Sequence, residues 1–383
     1  MLTPPRSLQQ SAFYRRYLEL TMPLGALDAL MLPVLHMLAQ RSSESPEPLK
    51  CAGVLFAGDH AVAREHGVSA YPAEVTPQMV ANIVGGGAAI SCLARLRDAP
   101  LWICDVGVAH GFDEILELKS SEYISFKREN IHKKFPSEGY ERGSRDITTM
   151  PALSLEAHEH CWNVGSSLVE EIIAKTECDV VFLGEMGIGN TTPASALASL
   201  VLQRSAQECV GRGTGISDAV LSLKIGVVER ANQRVRNQPG WKGIQSLDDA
   251  HHALREVGGA ELSALAGAAW RAAQLGRFVL LDGLIVTAAL APFAAAEKSF
   301  SPWLLATHES AEPVHAHLLR EMGLKPLLKL GLRLGEGSGA ALAAGLLKDS
   351  DYLLRNMATF SSAGVSSGPK GNEVENGLEP QGF

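Results

Sequence analysis

The chain has 383 residues, about two domains' worth at roughly 150 residues each. Lysine and arginine number 34 against 42 acidic residues, so 34 − 42 gives −8, a balance that excludes a nucleic-acid coat and a polybasic membrane binder. With 46% hydrophobic residues there is ample apolar surface to bury, which excludes disorder across the whole chain.

The opening MLTPPRSLQQ lacks the charged-then-apolar layout of a secretory leader, so the expectation is a cytoplasmic protein. Residues 8–39 read as mostly helical. Five short apolar runs follow, each closed by a polar or glycine-rich turn: GVLFA before GDH (58–60), LWIC before DVG (105–107), DVVFL before GEMG (184–187), FVLL before DG (282–283), and WLLA before THES (307–310). Runs that are apolar throughout, not at alternate positions, predict strands buried on both faces, as in a parallel sheet. Helical patterns lie between them, so the fold class is α/β. In such sheets ligands bind at the carboxyl ends of the strands, where Asp, Glu, His and Gly cluster here.

Residues 112–150 are charged and poorly periodic and read as an excursion with little core. The most apolar stretch, 278–296, carries Asp282, Gly283 and Pro292 and reads as a buried strand followed by a buried helix, so no membrane span is expected. Residues 313–357 are again helical. The resulting division is a large α/β domain over 31–299, a smaller helical domain from 1–30 and 300–360, and a disordered tail over 361–383, where Ser, Gly, Pro and Asn dominate. Cys51, Cys92, Cys104, Cys161, Cys178 and Cys209 form no C-x-x-C pair and read as buried reduced thiols.

The strongest chemical signal is GEMGIGNTTPASA (184–196), a strand-to-helix turn in which Thr192 suits an N-cap and Pro193 the first helical position. Glycines free backbone N–H groups there and the helix start adds partial positive charge, which together make a phosphate cradle. A tight turn without a ligand is the plainer reading. GRGTGISDA (211–219) is a second glycine turn, with Ser217 or Asp218 capping a helix on which Lys224 shares an apolar face with Val220, Leu221 and Val228. Such a lysine either snorkels to water or meets a buried anion. In RLGEGSG (333–339) Glu336 stands between two glycines before a small-residue helix, so either something docks closely on its carboxylate or it serves only the helix dipole. In 58–90, Thr76 and Pro77 start a helix that the glycines at 85–87 break, and Ser69, Tyr71, Gln78 and Met79 could line a flat pocket. His308, Glu312 and His315 have i, i+4, i+7 spacing, but Pro313 interrupts them and no second ligand set supports a metal, so none is expected.

Ten motifs in order, GDHAVA, GVSAYPAEVTPQMV, GGGAAI, DVGV, GEMGIGNTT, GRGTG, VGGAELSALAG, LDGLIVTAA, SAEP and RLGEGSGAALA, span roughly 53–365. In this the chain resembles the nicotinate-nucleotide–dimethylbenzimidazole phosphoribosyltransferases. The resemblance implies a Rossmann-like parallel sheet, a small helical domain, a homodimer and no cofactor. It implies transfer of phosphoribose from nicotinate mononucleotide to 5,6-dimethylbenzimidazole in cobalamin biosynthesis, giving α-ribazole 5′-phosphate and nicotinate. It also implies roles for residues: Glu336 as proton acceptor, Glu185 as a second site carboxylate, and Gly187, Gly189, Asn190, Lys224 and Ser310 on the phosphate. Ser69, Gln78, Met79 and Leu334 then fall on the base pocket. Val314 stands where the family has Gly after SAEP, the 112–150 excursion is longer than usual, and the tail after Val365 is extra. Two other readings compete: a dinucleotide-dependent oxidoreductase, disfavoured because no G-x-G-x-x-G follows a first strand, and a non-catalytic nucleotide sensor, which leaves Glu336 between its glycines unexplained.

Overall fold

The computed structural model describes residues 2–41, 47–109, 121–213 and 215–366. Six strands, β1 (Cys51–Gly58), β2 (Leu101–Gly107), β3 (Ile124–Arg128), β4 (Val180–Met186), β5 (Phe278–Leu281) and β6 (Leu304–Ala306), form one sheet in the order β3-β2-β1-β4-β5-β6. Every pairing is parallel. All residues of β1, β2, β4, β5 and β6 are buried, which is why these strands read as unbroken apolar runs. The expected parallel α/β sheet is therefore what the chain forms.

Helix Ala260–Gln274 lies across β1, β2, β4 and β5, and helix Leu155–Thr176 packs on it. A Cβ on Gly165 would fall 1.9 Å from the Ala264 carbonyl oxygen, and one on Gly267 2.2 Å from that of Trp162, so the two helices meet backbone to backbone. Helix Ser338–Asn356 packs on β4, on β5 and on helix Asp28–Ala39. The two ends of the chain are tied together. Arg16 donates to the carbonyls of Leu354, Arg355 and Met357, and Leu20 bridges to Thr359. The sheet itself runs past the expected boundary at 299, because β6 belongs to it.

The reading of 112–150 as an excursion with little core is corrected over its described part. Residues 124–128 are the edge strand β3, and Ile124, Ile131, Tyr140 and Ile147 are buried. As an edge strand, β3 leaves four of its five side chains half-buried, so ISFKR never shows the apolar run that marks the central strands. Residues 112–120 lie outside the described residues, as do 367–383 of the expected tail. Residues 361–363 of that tail complete a short helix, Phe360–Ala363. All six cysteines are free, and five are buried. Cys92 is the correction, exposed on helix Ala89–Leu96 where SCL had suggested burial. Residues 278–296 form β5 and the buried helix Leu284–Ala296, as expected. By length and composition Val75–Leu96 is apolar enough to cross a membrane, but it is broken at 85–87 into helices Val75–Val84 and Ala89–Leu96.

Candidate active site

The chain leaves β1 toward β2 and β3 on one side of the sheet and continues to β4, β5 and β6 on the other. The carboxyl ends of β1 and β4 therefore bound a crevice at a topological switch point. The turn after β4 sits directly against the end of β1. A Cβ on Gly187 would lie 2.1 Å from the Gly58 carbonyl oxygen, and one on Gly189 (φ +88°) would lie 2.4 Å from Ala63 Cβ. Only glycine fits this approach, and its left-handed φ at 189 suits no other residue as well. Thr76 joins helix Val75–Val84 to the same place. Its hydroxyl donates to Asp59 Oδ1 (2.6 Å) and accepts from the Ile188 N–H (3.0 Å), while Asp59 Oδ2 accepts from the Ala109 N–H (3.0 Å). Burial pushes the Asp59 carboxyl up to about 6 against these donors.

Glu185, Asp282 and Glu336 come together at the ends of β4 and β5. Residues 335–337 all have left-handed φ, +81°, +63° and +80°. Glycine adopts that conformation freely, but Glu336 carries a Cβ, at a cost of about 1–2 kcal/mol. The turn lies on β4: a Cβ on Gly184 would come within 2.7 Å of the Glu336 carbonyl oxygen, and one on Gly335 within 2.8 Å of Glu185 Oε1. Asp282 holds the turn from below, its Oδ2 accepting from the Gly337 N–H (3.2 Å) and its Oδ1 from the Ala340 N–H (3.1 Å). Glu185 is buried and accepts from the Asn190 amide. Its carboxyl is pushed up to about 8, first by burial and then by the charge of Asp282, with Glu261 and Glu336 adding to it and Asn190 opposing. Glu336 is raised as well, by burial and then by Asp282. Glu185 thus keeps a proton near neutral pH, and Glu336 is a stronger base than an ordinary carboxylate.

The turn at 187–190 leads into helix Thr191–Leu202, with Asn190 at the N-cap position. The expected cap at Thr192 is corrected: Thr192 lies inside the first turn, its hydroxyl buried without a hydrogen-bond partner, and Pro193 follows it. The helix begins two residues earlier because Asn190 already has helical backbone angles. Ser217 caps helix Asp218–Arg236 as expected. From that helix Lys224 reaches inward, fully buried, and donates to Thr191 Oγ1 (2.8 Å) and the Gly211 carbonyl (3.1 Å). It meets buried polar groups and does not snorkel. Burial holds its amine down to about 8, with Glu312 opposing the shift. Glu312 Oε1 accepts from the Gly213 N–H (2.7 Å). The two glycine turns and Lys224 therefore form one polar nest, linked through Thr191.

Ser310 is half-buried, and its N–H donates to His315 Nδ1 (2.9 Å), while His315 Nε2 bonds Thr287 Oγ1 (2.9 Å). With both ring nitrogens engaged, His315 positions the Ser310 loop. Burial, with His308 adding to it, pushes its pKa down to about 3, so it stays neutral. Met79 packs partly buried against the core, Gln78 and Leu334 are exposed, and half-buried Ser69 accepts from the Tyr71 N–H (3.2 Å). These four lie on two segments flanking the carboxylates, one entering helix Val75–Val84 and the other leading into the Glu336 turn. Asp59, Thr76, Glu261, Asp282 and His308 were given no catalytic or binding role from sequence. Four of the five stand at or just beyond strand ends or in the first turn of a helix, and Glu261 opens helix Ala260–Gln274, its carboxylate 2.7 Å from His60 Nε2. Their position in the fold was a signal, but their partners come from other elements. Among the described residues, one group of three ligand-type side chains lies close enough to share an ion, Glu65, His66 and Asp146, and none of them is among these site residues.

A family model described as phosphoribosyltransferase matches residues 2–365. The chain is 39% identical over 355 residues to the nicotinate-nucleotide–dimethylbenzimidazole phosphoribosyltransferase of Ectopseudomonas mendocina (strain ymp), covering 93% of each chain. It is likewise 39% identical over 356 residues to the protein of that name from Chloroflexus aggregans, with 93% of each covered. Among solved structures it superposes on CobT from Thermus thermophilus with a TM-score of 0.78 and 36% identity, covering 93% of this chain and 98% of that one.

Proposed function

Since the chain belongs to the nicotinate-nucleotide–dimethylbenzimidazole phosphoribosyltransferase family, we propose that it moves phosphoribose from nicotinate mononucleotide to 5,6-dimethylbenzimidazole. The products are α-ribazole 5′-phosphate and nicotinate, as cobalamin biosynthesis requires. The observation that supports this reading best is Glu336, a buried carboxylate held in a left-handed turn against β4 and beside Glu185.

The chemistry suits such a group. Nicotinate departs from a cationic pyridinium as a neutral ring, so the leaving group needs little acid. The incoming benzimidazole becomes positive on attack unless its N–H proton is removed, and a carboxylate with a raised pKa is a fitting acceptor. Glu336 takes this proton, and Glu185 supplies the second carboxyl of the site. The 5′-phosphate sits at the turn of Gly187, Gly189 and Asn190 with Lys224 and Ser310, far from the reacting carbon, so its binding energy orients the attack. Asn190 donates its side-chain amide to Glu185 and its N–H to the Gly187 carbonyl (3.2 Å), so it shapes the turn around the phosphate. Ser69, Gln78, Met79 and Leu334 wall the base. Attack opposite the leaving group turns a β-linked nucleotide into an α-linked one. The enzyme works as a homodimer in the cytoplasm, binds neither nucleic acid nor membrane, and needs no cofactor. The terminal helices, tied through Arg16, form its smaller unit.

The test is nicotinate release from nicotinate mononucleotide with and without dimethylbenzimidazole. Release that depends on the base, with α-ribazole 5′-phosphate formed in equal amount, is the expected result. No release points to a sensor.

A further inference from the structure

Asp282 is fully buried just past the end of β5. The groups that hydrogen-bond its carboxylate are backbone donors: the N–H of Gly337 to Oδ2, the N–H of Ala340 to Oδ1, and the N–H of Gly283. Such a partner set suits the ionised carboxylate and, with the charge of His308, opposes the upward push that burial puts on its pKa. Gly337 and Ala340 belong to the segment carrying Glu336, one directly after it and one in the first turn of helix Ser338–Asn356. That turn needs holding, since Glu336 has φ +63° with a side chain attached. A non-glycine residue stays in that region only where its surroundings over-determine it.

His308 closes the other side. A Cβ on Gly339 would fall 2.3 Å from His308 Nδ1 and 3.0 Å from Asp282 Oδ1, so the ring and the carboxylate meet over the same glycine. Thr307 gives its hydroxyl proton to the Leu281 carbonyl (2.6 Å) and so accepts from His308 Nδ1 (3.1 Å). The threonine thereby fixes both the ring and its tautomer.

We infer that Asp282 is a positioning residue for the reaction: it pins the 335–337 turn and sets the charge around Glu336, and it acts on substrate only through Glu336. This rests on Glu336 being the proton acceptor. The groups facing Glu336 are Asp282 from β5 and Glu185 from β4, with Asn190 on Glu185, Glu261 behind Glu185, and His308 from the end of β6 facing Asp282. Of these, Asp282 bears most on Glu336. Its negative charge makes Glu336 harder to ionise and therefore a better base. Removing that charge lowers the pKa of Glu336 and leaves it a weaker acceptor.

The test uses the full chain with Asp282→Asn, which keeps the shape and one acceptor, and Asp282→Ser, which leaves room for a water if the amide does not fold. Glutamate side chains labelled with carbon-13 report the titration of Glu336 without substrate, its resonance identified by its loss in Glu336→Gln. Expected in a variant folded by circular dichroism are a Glu336 midpoint moved down toward the ordinary carboxylate range and an acidic limb of kcat moved the same way. A kcat lower by about tenfold or more is expected with KM for nicotinate mononucleotide nearly unchanged. A purely structural Asp282 predicts lower stability with the titration and the pH profile per folded molecule unmoved, and that result overturns the proposal. If Glu336 does not shift while Glu336→Gln is inactive, the base stands and Asp282 loses its role. If Glu336 shifts but Glu336→Gln turns over normally, the base assignment fails and the role of Asp282 falls with it.

Discussion

Replacing Lys224 by Met removes one buried positive charge and keeps an unbranched stem in the same channel. Two of the three ammonium protons are engaged, on Thr191 Oγ1 and the Gly211 carbonyl, so one donor is left for an anion at the start of helix Thr191–Leu202. A charge-assisted hydrogen bond is worth about 1.5–3 kcal/mol, which corresponds to roughly 10- to 150-fold in the dissociation constant of nicotinate mononucleotide. The pH dependence is a sharper test. Burial lowers the Lys224 pKa from 10.5 to about 8, so its charge is present below about 8 and lost as pH rises through that value. Roughly nine-tenths of the molecules carry the charge at pH 7 and roughly one-tenth at pH 9, so nucleotide affinity in the parent should fall about tenfold between them. In Lys224→Met that fall should vanish. Calorimetric titration with nicotinate mononucleotide alone measures both effects. A folded Lys224→Met with parental affinity at pH 7, or with the same decline toward pH 9, would show that Lys224 does not hold the phosphate.

Glu336→Gln keeps the shape of the turn but cannot take the proton. Turnover should fall about 10²- to 10⁴-fold while dimethylbenzimidazole still binds; turnover within about tenfold of the parent would pass the role to Glu185. Gly184→Ala drives a methyl group to 2.7 Å from the Glu336 carbonyl oxygen, and the turn must yield. Overpacking of this kind costs about 1–3 kcal/mol in urea denaturation, and kcat should fall more than the loss of folded protein accounts for. Prolonged treatment with EDTA should leave phosphoribosyl transfer intact, because the reaction needs only a carboxylate base; loss restored by an added divalent metal would contradict this.

What the sequence determined by itself follows from local physics. Runs such as VLFA and VVFL are apolar at every position because the strands are covered on both faces, and this property of each segment alone gives the parallel α/β class. Lys224 on its apolar stripe and Glu336 between two glycines were visible for the same reason, as local departures from what a helix face or a turn needs. The edge strand β3 was not, because half-buried positions tolerate Lys, Arg and Ser and erase the pattern. Cys92 was misread because an apolar neighbourhood in sequence does not say which face of a helix turns to solvent. The tertiary structure alone decided the partners. Asp282 and Gly337 are 55 residues apart, Lys224 and Thr191 33, and Glu261 and His60 201. Sequence periodicity carries no information across such separations. The strand order that seats 187–190 on the end of β1 and 335–337 over β4 sets which carboxylates share a charge environment, and so which of them can hold a proton near neutral pH.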